Sequence, residues 1–247
     1  MENKVLTELY SELFGLKDFF NIEQGLKRGE LISAIAVSGE NYEQSKFRLM
    51  YVGRALNGWG SLNGNNVEEL VRSVLNEKGV KEFLCNAVYD PRHYEDYNIN
   101  RSRFWQLCRK ILEKAGEDET WAENIVWSNV YKVTYNGISI SWSLMNYIYE
   151  ACLKILKYEL EFFRPNHVVF VTGTNYFLPK DLGNSFEAIF SLEHDPLTFE
   201  VVSKGIYTCQ SGHKIKIVAV NRPECRKGTN EEKADKIMKA FNSIIID

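Results

Sequence analysis

The chain of 247 residues, 45% hydrophobic and 26% charged with a net charge of −3, is long enough for one α/β domain with a sizeable core. That charge balance gives no global pull toward a nucleic-acid backbone, so any such contact would need a local basic patch. Five cysteines without a C-x-x-C pair argue against a disulfide framework or a zinc ribbon and fit a reducing cytoplasm. No run of about 18 apolar residues predicts a membrane span, and the amphipathic start lacks the apolar stretch of a signal peptide.

In chain order, Leu6, Leu9, Tyr10, Leu13, Phe14 and Leu16 recur at helical spacing and predict a first helix within an N-terminal helical extension over 1–46. The run Leu49-Met50-Tyr51-Val52-Gly53 predicts a buried strand that stops at a polar, glycine-containing turn, Arg54 to Trp59. A helix follows over Asn66 to Lys78. The polar, aromatic stretch Asp90 to Tyr97 reads as a loop able to serve as a lid, and it opens into a helix carrying Phe104, Trp105, Leu107, Cys108, Ile111 and Leu112. Ile125 to Lys132 predicts a second strand, Ser141 to Phe163 a long helix stopped by Arg164-Pro165, and Val168 to Gly173 a third strand. Phe199 to Tyr207 and His213 to Val220 predict a hairpin feeding the final strand, and Glu231 to Ile246 a closing helix. Alternation of this kind predicts a single domain over 1–247: a three-layer α/β/α fold with a four-stranded, mostly parallel central sheet.

In such sheets ligands bind outside the carboxyl ends of the strands. The polar residues after three of the apolar runs, Gly53 to Trp59, Asn129 to Lys132 and Asn221 to Pro223, therefore sketch one site.

Together with two connecting motifs, these segments resemble the uracil-DNA glycosylase-like superfamily from about Phe47 onward. Gly53-Arg54-Ala55-Leu56-Asn57-Gly58 stands where that superfamily has a glycine motif such as GQDPYH, GxNPG or GEAPG. Arg103-Phe104-Trp105 is similar to a pattern that opens a helix in some branches. Asn129 to Lys132 resembles the N-x-x-K variant of the base-binding strand end, and Arg164-Pro165 through Gly173 resembles the next helix-to-strand motif. Asn221-Arg222-Pro223-Glu224 occupies the place of the closing H-P-S motif. The departures are specific: Arg54 replaces Gln or Glu, Ala55 the acid or amide that can activate water, Leu56 the proline, and Arg222 the histidine. The close-spaced cysteines of the iron-sulfur branch are absent, so no cofactor is expected.

The resemblance implies a hydrolase that breaks the N-glycosidic bond of a flipped base in DNA, with DNA, a nucleotide or a base as ligand. The residue assignments follow. Asn129 and Trp59 would bind the base, the first by its amide and the second by stacking. Asn57 would orient water, and Arg222 would take the catalytic place of the missing histidine. Arg54 and Lys132 would hold phosphates. Each has an ordinary alternative: Asn129 as a turn residue, Asn57-Gly58 as a tight turn, the cations as solvated surface charge. Two competing functions stay open, a non-catalytic base or strand binder on the same fold and an interaction protein using the Asp90 to Tyr97 loop. The histidines have no metal-ligand spacing, and no G-x-S-x-G or glycine-rich phosphate loop is present.

Overall fold

A computed structural model describes residues 3–16, 31–56, 62–76, 99–117, 120–135, 140–172, 192–194, 201–224 and 228–246. In chain order the elements are α1 (Asn3–Phe14), β1 (Leu31–Ser33), β2 (Val37–Ser38), β3 (Leu49–Ala55), α2 (Val67–Leu75), α3 (Arg103–Ala115), β4 (Ile125–Tyr131), β5 (Val133–Tyr135), α4 (Trp142–Phe163), β6 (His167–Val171), β7 (Leu192–His194), β8 (Val201–Thr208), β9 (Lys214–Val220) and α5 (Asn230–Ser243). Single 3₁₀ turns at Ile99–Arg101 and Trp121–Asn124 precede α3 and β4.

The four apolar runs expected as parallel strands lie side by side in the order β4-β3-β6-β9, all parallel. The sheet is wider than four strands. Seven are present among the described residues, because β2 adds antiparallel to β4 on one edge and the β8–β9 hairpin, with β7 outside it, extends the other edge. The hairpin turns at Gly212, whose φ of 83° needs glycine's freedom. β1 and β5 form a separate antiparallel pair, so the 1–46 segment contributes strands as well as a helix.

Alternation along each central strand divides its side chains between two apolar clusters. Met50, Val52, Val126, Val168 and Phe170 pack with α1, α2 and α4. Leu49, Tyr51, Ile125, Trp127, Val169 and Val218 pack with α3 and α5. Both faces of the sheet are thus covered by helices, as near-continuous apolar strands require.

The helix ends follow from local sequence. Asn66 caps α2 by accepting from the Glu69 N–H at 3.0 Å, and Ser141 caps α4 by accepting from the Leu144 N–H at 3.2 Å. Thr229 and Glu232 form a reciprocal capping box at α5. α4 ends at Arg164, in a left-handed conformation with φ of 44°, immediately before Pro165. No helix among the described residues is long and apolar enough to cross a membrane.

The strand order locates a crevice. After β3 the chain crosses to β4 on one side, and after β4 it returns to β6 on the other. This reversal is a topological switch point, where the connections leaving neighbouring strands diverge and open a groove at their carboxyl ends. Gly53 to Ala55 at the end of β3 border it.

Candidate functional site

Asn129 stands opposite Gly53 in the β3–β4 register, on the face covered by α3. It is only 8% exposed. A β-carbon on Gly53 would come within 2.5 Å of the Asn129 Oδ1 and 3.4 Å of the Phe104 Cζ. Glycine is therefore what lets the amide lie over the end of β3, beside the tip of the Phe104 ring. The Asn129 side chain makes no hydrogen bond among the described residues. Buried amides are ordinarily bonded, and this one carries two donors and an acceptor. Two residues earlier on the same face, the Trp127 indole N–H is buried without a hydrogen-bond partner among the described residues.

Aromatic packing fixes the wall behind the amide. Phe104 lies 4.6 Å from the Tyr51 ring and 4.9 Å from Trp105, which meets Trp127 edge to face at 4.9 Å. The Tyr51 hydroxyl donates to the Phe104 carbonyl at 2.8 Å, tying the start of α3 to β3. Burial pushes the Tyr51 hydroxyl far above its usual pKa, and the Cys108 thiol and the Glu224 carboxylate push in the same direction. The Glu224 charge is thus felt at the α3 side of the crevice.

Glu224 belongs to the turn after β9, and its carboxylate stands 3.4 Å from the Arg222 Nε. Arg222 is 44% exposed, so the pair sits at the rim. The same turn is anchored from below, because the buried Lys233 ammonium donates to the Pro223 carbonyl at 2.8 Å.

The other expected site residues separate. Arg54 follows Gly53 with opposite strand parity and acts on the α4 side, where its charge partly offsets the burial that raises the Tyr131 pKa. It is half-buried. Lys132 departs from the expected phosphate role. It is 1% exposed, with its ammonium 2.6 Å from Glu159 Oε2 and 2.8 Å from Ser128 Oγ. The Ser128 hydroxyl donates to the same carboxylate oxygen at 2.7 Å. Ser128 and Lys132 are out of phase with Asn129 along the strand, so they face α4 while the amide faces α3. The ion pair is interior and occupies the only charge Lys132 has. Asn57, Trp59 and the Asp90 to Tyr97 loop lie outside the described residues.

Sequence reasoning assigned no site role to Phe104 or Trp127, and it missed the Ser128–Lys132–Glu159 cluster. A signal for the last existed: Cys152, Ile155, Leu156 and Leu160 mark a buried helical stripe, and Glu159 falls within it. A carboxylate on such a stripe calls for a buried cation.

Cys108, Cys152 and Cys209 are buried free thiols; burial pushes Cys152 up to about 12 despite the opposing Lys132, so it stays protonated and inert. Among the described residues, no group of three His, Cys, Asp or Glu side chains could hold a metal ion. What the arrangement offers chemically is one buried bifunctional amide, an aromatic wall and a rim guanidinium.

Neither a scan against protein-family models nor a search of curated proteins found a match for this chain.

Proposed function

We propose that the crevice binds a nucleobase extruded from a strand and that the chain is a divergent uracil-DNA glycosylase-like hydrolase. The observation that carries this reading is the Asn129 amide, nine-tenths buried and without a hydrogen-bond partner among the described residues, at the carboxyl end of a parallel strand. A base edge presents adjacent donors and acceptors, which a side-chain amide matches in both directions. The glycine opposite it and the motif order from Gly53 to Glu224 support the same assignment.

In the proposed reaction water adds to the sugar C1′ as the N-glycosidic bond breaks. The base leaves with the bonding electron pair and takes up a proton, and the sugar keeps a hydroxyl. An amide donor aimed at a base carbonyl stabilises the charge developing there, and one such donor is worth roughly 3 kcal/mol. Arg222 would supply positive charge at the position of the family histidine once its rim contact with Glu224 opens. Asn57 would orient the water.

A second reading has its own observation. Ala55 stands where the family carries the group that activates water, and a methyl group moves no proton. Base binding without cleavage then follows on the same site.

An assay for abasic sites separates these readings. Single-stranded and duplex oligonucleotides containing uracil, hypoxanthine, xanthine or normal bases are incubated with the protein, and strand scission after alkali is measured. Base release that Asn129→Ala reduces by about 10²-fold supports the hydrolase, the scale of a lost oxyanion donor. Tight binding without release supports the binder, and neither binding nor release contradicts both.

A further inference from the structure

Resting on the reading of Asn129 as the base-binding residue, we propose that Glu159 of α4 is the positioning residue of the crevice: it clamps the chain on both sides of Asn129 and so sets where that amide stands. The need for a clamp follows from the sheet. β6 pairs with β3 only as far as Val52–Phe170, and β2 pairs with β4 only as far as Trp127. Beyond those points Gly53 to Ala55 pair with Asn129 to Tyr131 and, among the described residues, with no further strand. Two strands alone are marginally stable in water, so their placement is loosely fixed. Asn129 thus stands on a two-stranded projection, and its own side chain, without a hydrogen bond among the described residues, adds nothing to hold it.

The clamp is a single carboxylate oxygen. Oε2 of Glu159 accepts from the Ser128 hydroxyl at 2.7 Å and from the Lys132 ammonium at 2.6 Å, and the two donors are themselves 2.8 Å apart. Ser128 immediately precedes Asn129 and Lys132 follows it by three residues, so both ends of the segment carrying the amide are tied to one point on α4. The main chain of Lys132 is held as well. Its N–H donates to the Cys152 Sγ at 3.3 Å, about two turns before Glu159 on the same helix, and its carbonyl accepts from the Ser33 hydroxyl at 2.7 Å. Lys132 is the residue between β4 and β5, so these bonds fix the point at which the chain leaves the main sheet for the β1–β5 pair.

The other carboxylate oxygen argues that position, rather than stability, is what the cluster supplies. Oε1 of Glu159 is buried with no hydrogen-bond partner among the described residues. Taking two charges out of water is costly, and a half-satisfied carboxylate recovers less of that cost than well-packed apolar side chains would. What an apolar pair cannot supply is direction. A binding group must be held within about 0.5 Å of its productive place, and hydrogen bonds to the backbone segment that carries it do this.

The test follows from that distinction. The double variant Lys132→Met/Glu159→Leu keeps the interior apolar and should unfold at a urea midpoint near that of the parent. It should nevertheless bind a deoxyuridine-containing single-stranded oligonucleotide about 10- to 100-fold more weakly, the range for removing groups that orient a ligating side chain. Ser128→Ala cuts one arm of the clamp and leaves the ion pair intact. It should lose about tenfold in affinity, which decides the proposal if the double variant fails to fold. Repeating both in the Asn129→Ala protein excludes a merely structural role, because a group acting through Asn129 then has nothing left to position and the further loss should vanish. Parent affinity in the folded variants, or the same loss with and without Asn129, overturns the proposal. Failure of the base reading shows elsewhere: Asn129→Ala alone would bind as the parent does. The clamp is in that case decided by the side-chain amide resonances of Asn129 in the free protein. Doubled or broadened signals in the clamp variants, against one sharp pair in the parent, uphold it, and signals like those of the parent overturn it.

Discussion

The amide oxygen of Asn129 occupies the space that a side chain on Gly53 would need, so the two residues, paired across β3 and β4, are mutually dependent. Gly53→Ala would set a methyl group 2.5 Å from that oxygen and 3.4 Å from the Phe104 ring. The amide is the movable partner and should swing away. Ligand binding should fall about tenfold or more while stability falls by only about 1 to 3 kcal/mol, the usual cost of overpacking. Calorimetric titration and urea unfolding of the same variant check both halves. A variant that binds normally would mean that the amide has no role in recognition.

The interior ion pair bears more heavily on stability. Lys132→Ala leaves the Glu159 carboxylate buried without its cation and should cost about 3 to 5 kcal/mol. Replacing both partners by Met and Leu should recover most of that loss, because well-packed apolar groups often substitute for a buried pair. Urea midpoints of the two single variants and the double variant provide the measurement. A Lys132→Ala protein that is stable but binds phosphate ligands weakly would restore Lys132 to the ligand-binding set.

A third expectation concerns acid. His167 begins β6, stacks on Phe47 at 3.9 Å and places Nδ1 2.8 Å from the Phe47 carbonyl. Burial lowers its pKa; the Phe47 carbonyl bond opposes this, and nearby Lys216 adds to the lowering. The folded pKa is thus below the unfolded value near about 6.5. The unfolded chain binds the proton more readily, so stability should fall as pH drops below about 6.5, down to the folded pKa. The group contributes no slope above that range. Unfolding midpoints across this window, compared with a His167→Gln variant, should show a drop that the variant lacks. Because His167 lies at the amino end of its strand, opposite the crevice, ligand affinity of the folded protein should not follow the same titration.

Much of the frame was legible from the sequence, for physical reasons that also mark where it stopped. β3, β4, β6 and β9 announce themselves as apolar runs because strands covered on both faces have no polar side to show. The hairpin of β8 and β9 followed from its turn at Gln210 to Gly212. Strands of two or three residues are too short to show a period, so β2 and β7, which with β8 widen the central sheet, and the separate β1–β5 pair went unforeseen. Nothing local states which strand neighbours which, and the switch point beside Gly53 emerges only from the order β4-β3-β6-β9. Asn129 was singled out by its place at a strand end and by the motif resemblance, and the structure sets it opposite Gly53. Lys132 was misassigned because position alone was used, whereas its three-residue offset from Asn129 sends it to the other face. Arg54 differs from Gly53 by one residue and turns away for the same reason.

The most direct test of the account is the affinity of Asn129→Ala and Asn129→Asp for a deoxyuridine-containing single-stranded oligonucleotide, set beside the parent at fixed salt. The account predicts that alanine weakens binding by about 1 to 3 kcal/mol, since the base edge is left facing an apolar surface. Aspartate, which offers acceptors only, should shift preference toward bases that present donors. Parent affinity retained by both variants, with unchanged preference among bases, would contradict it.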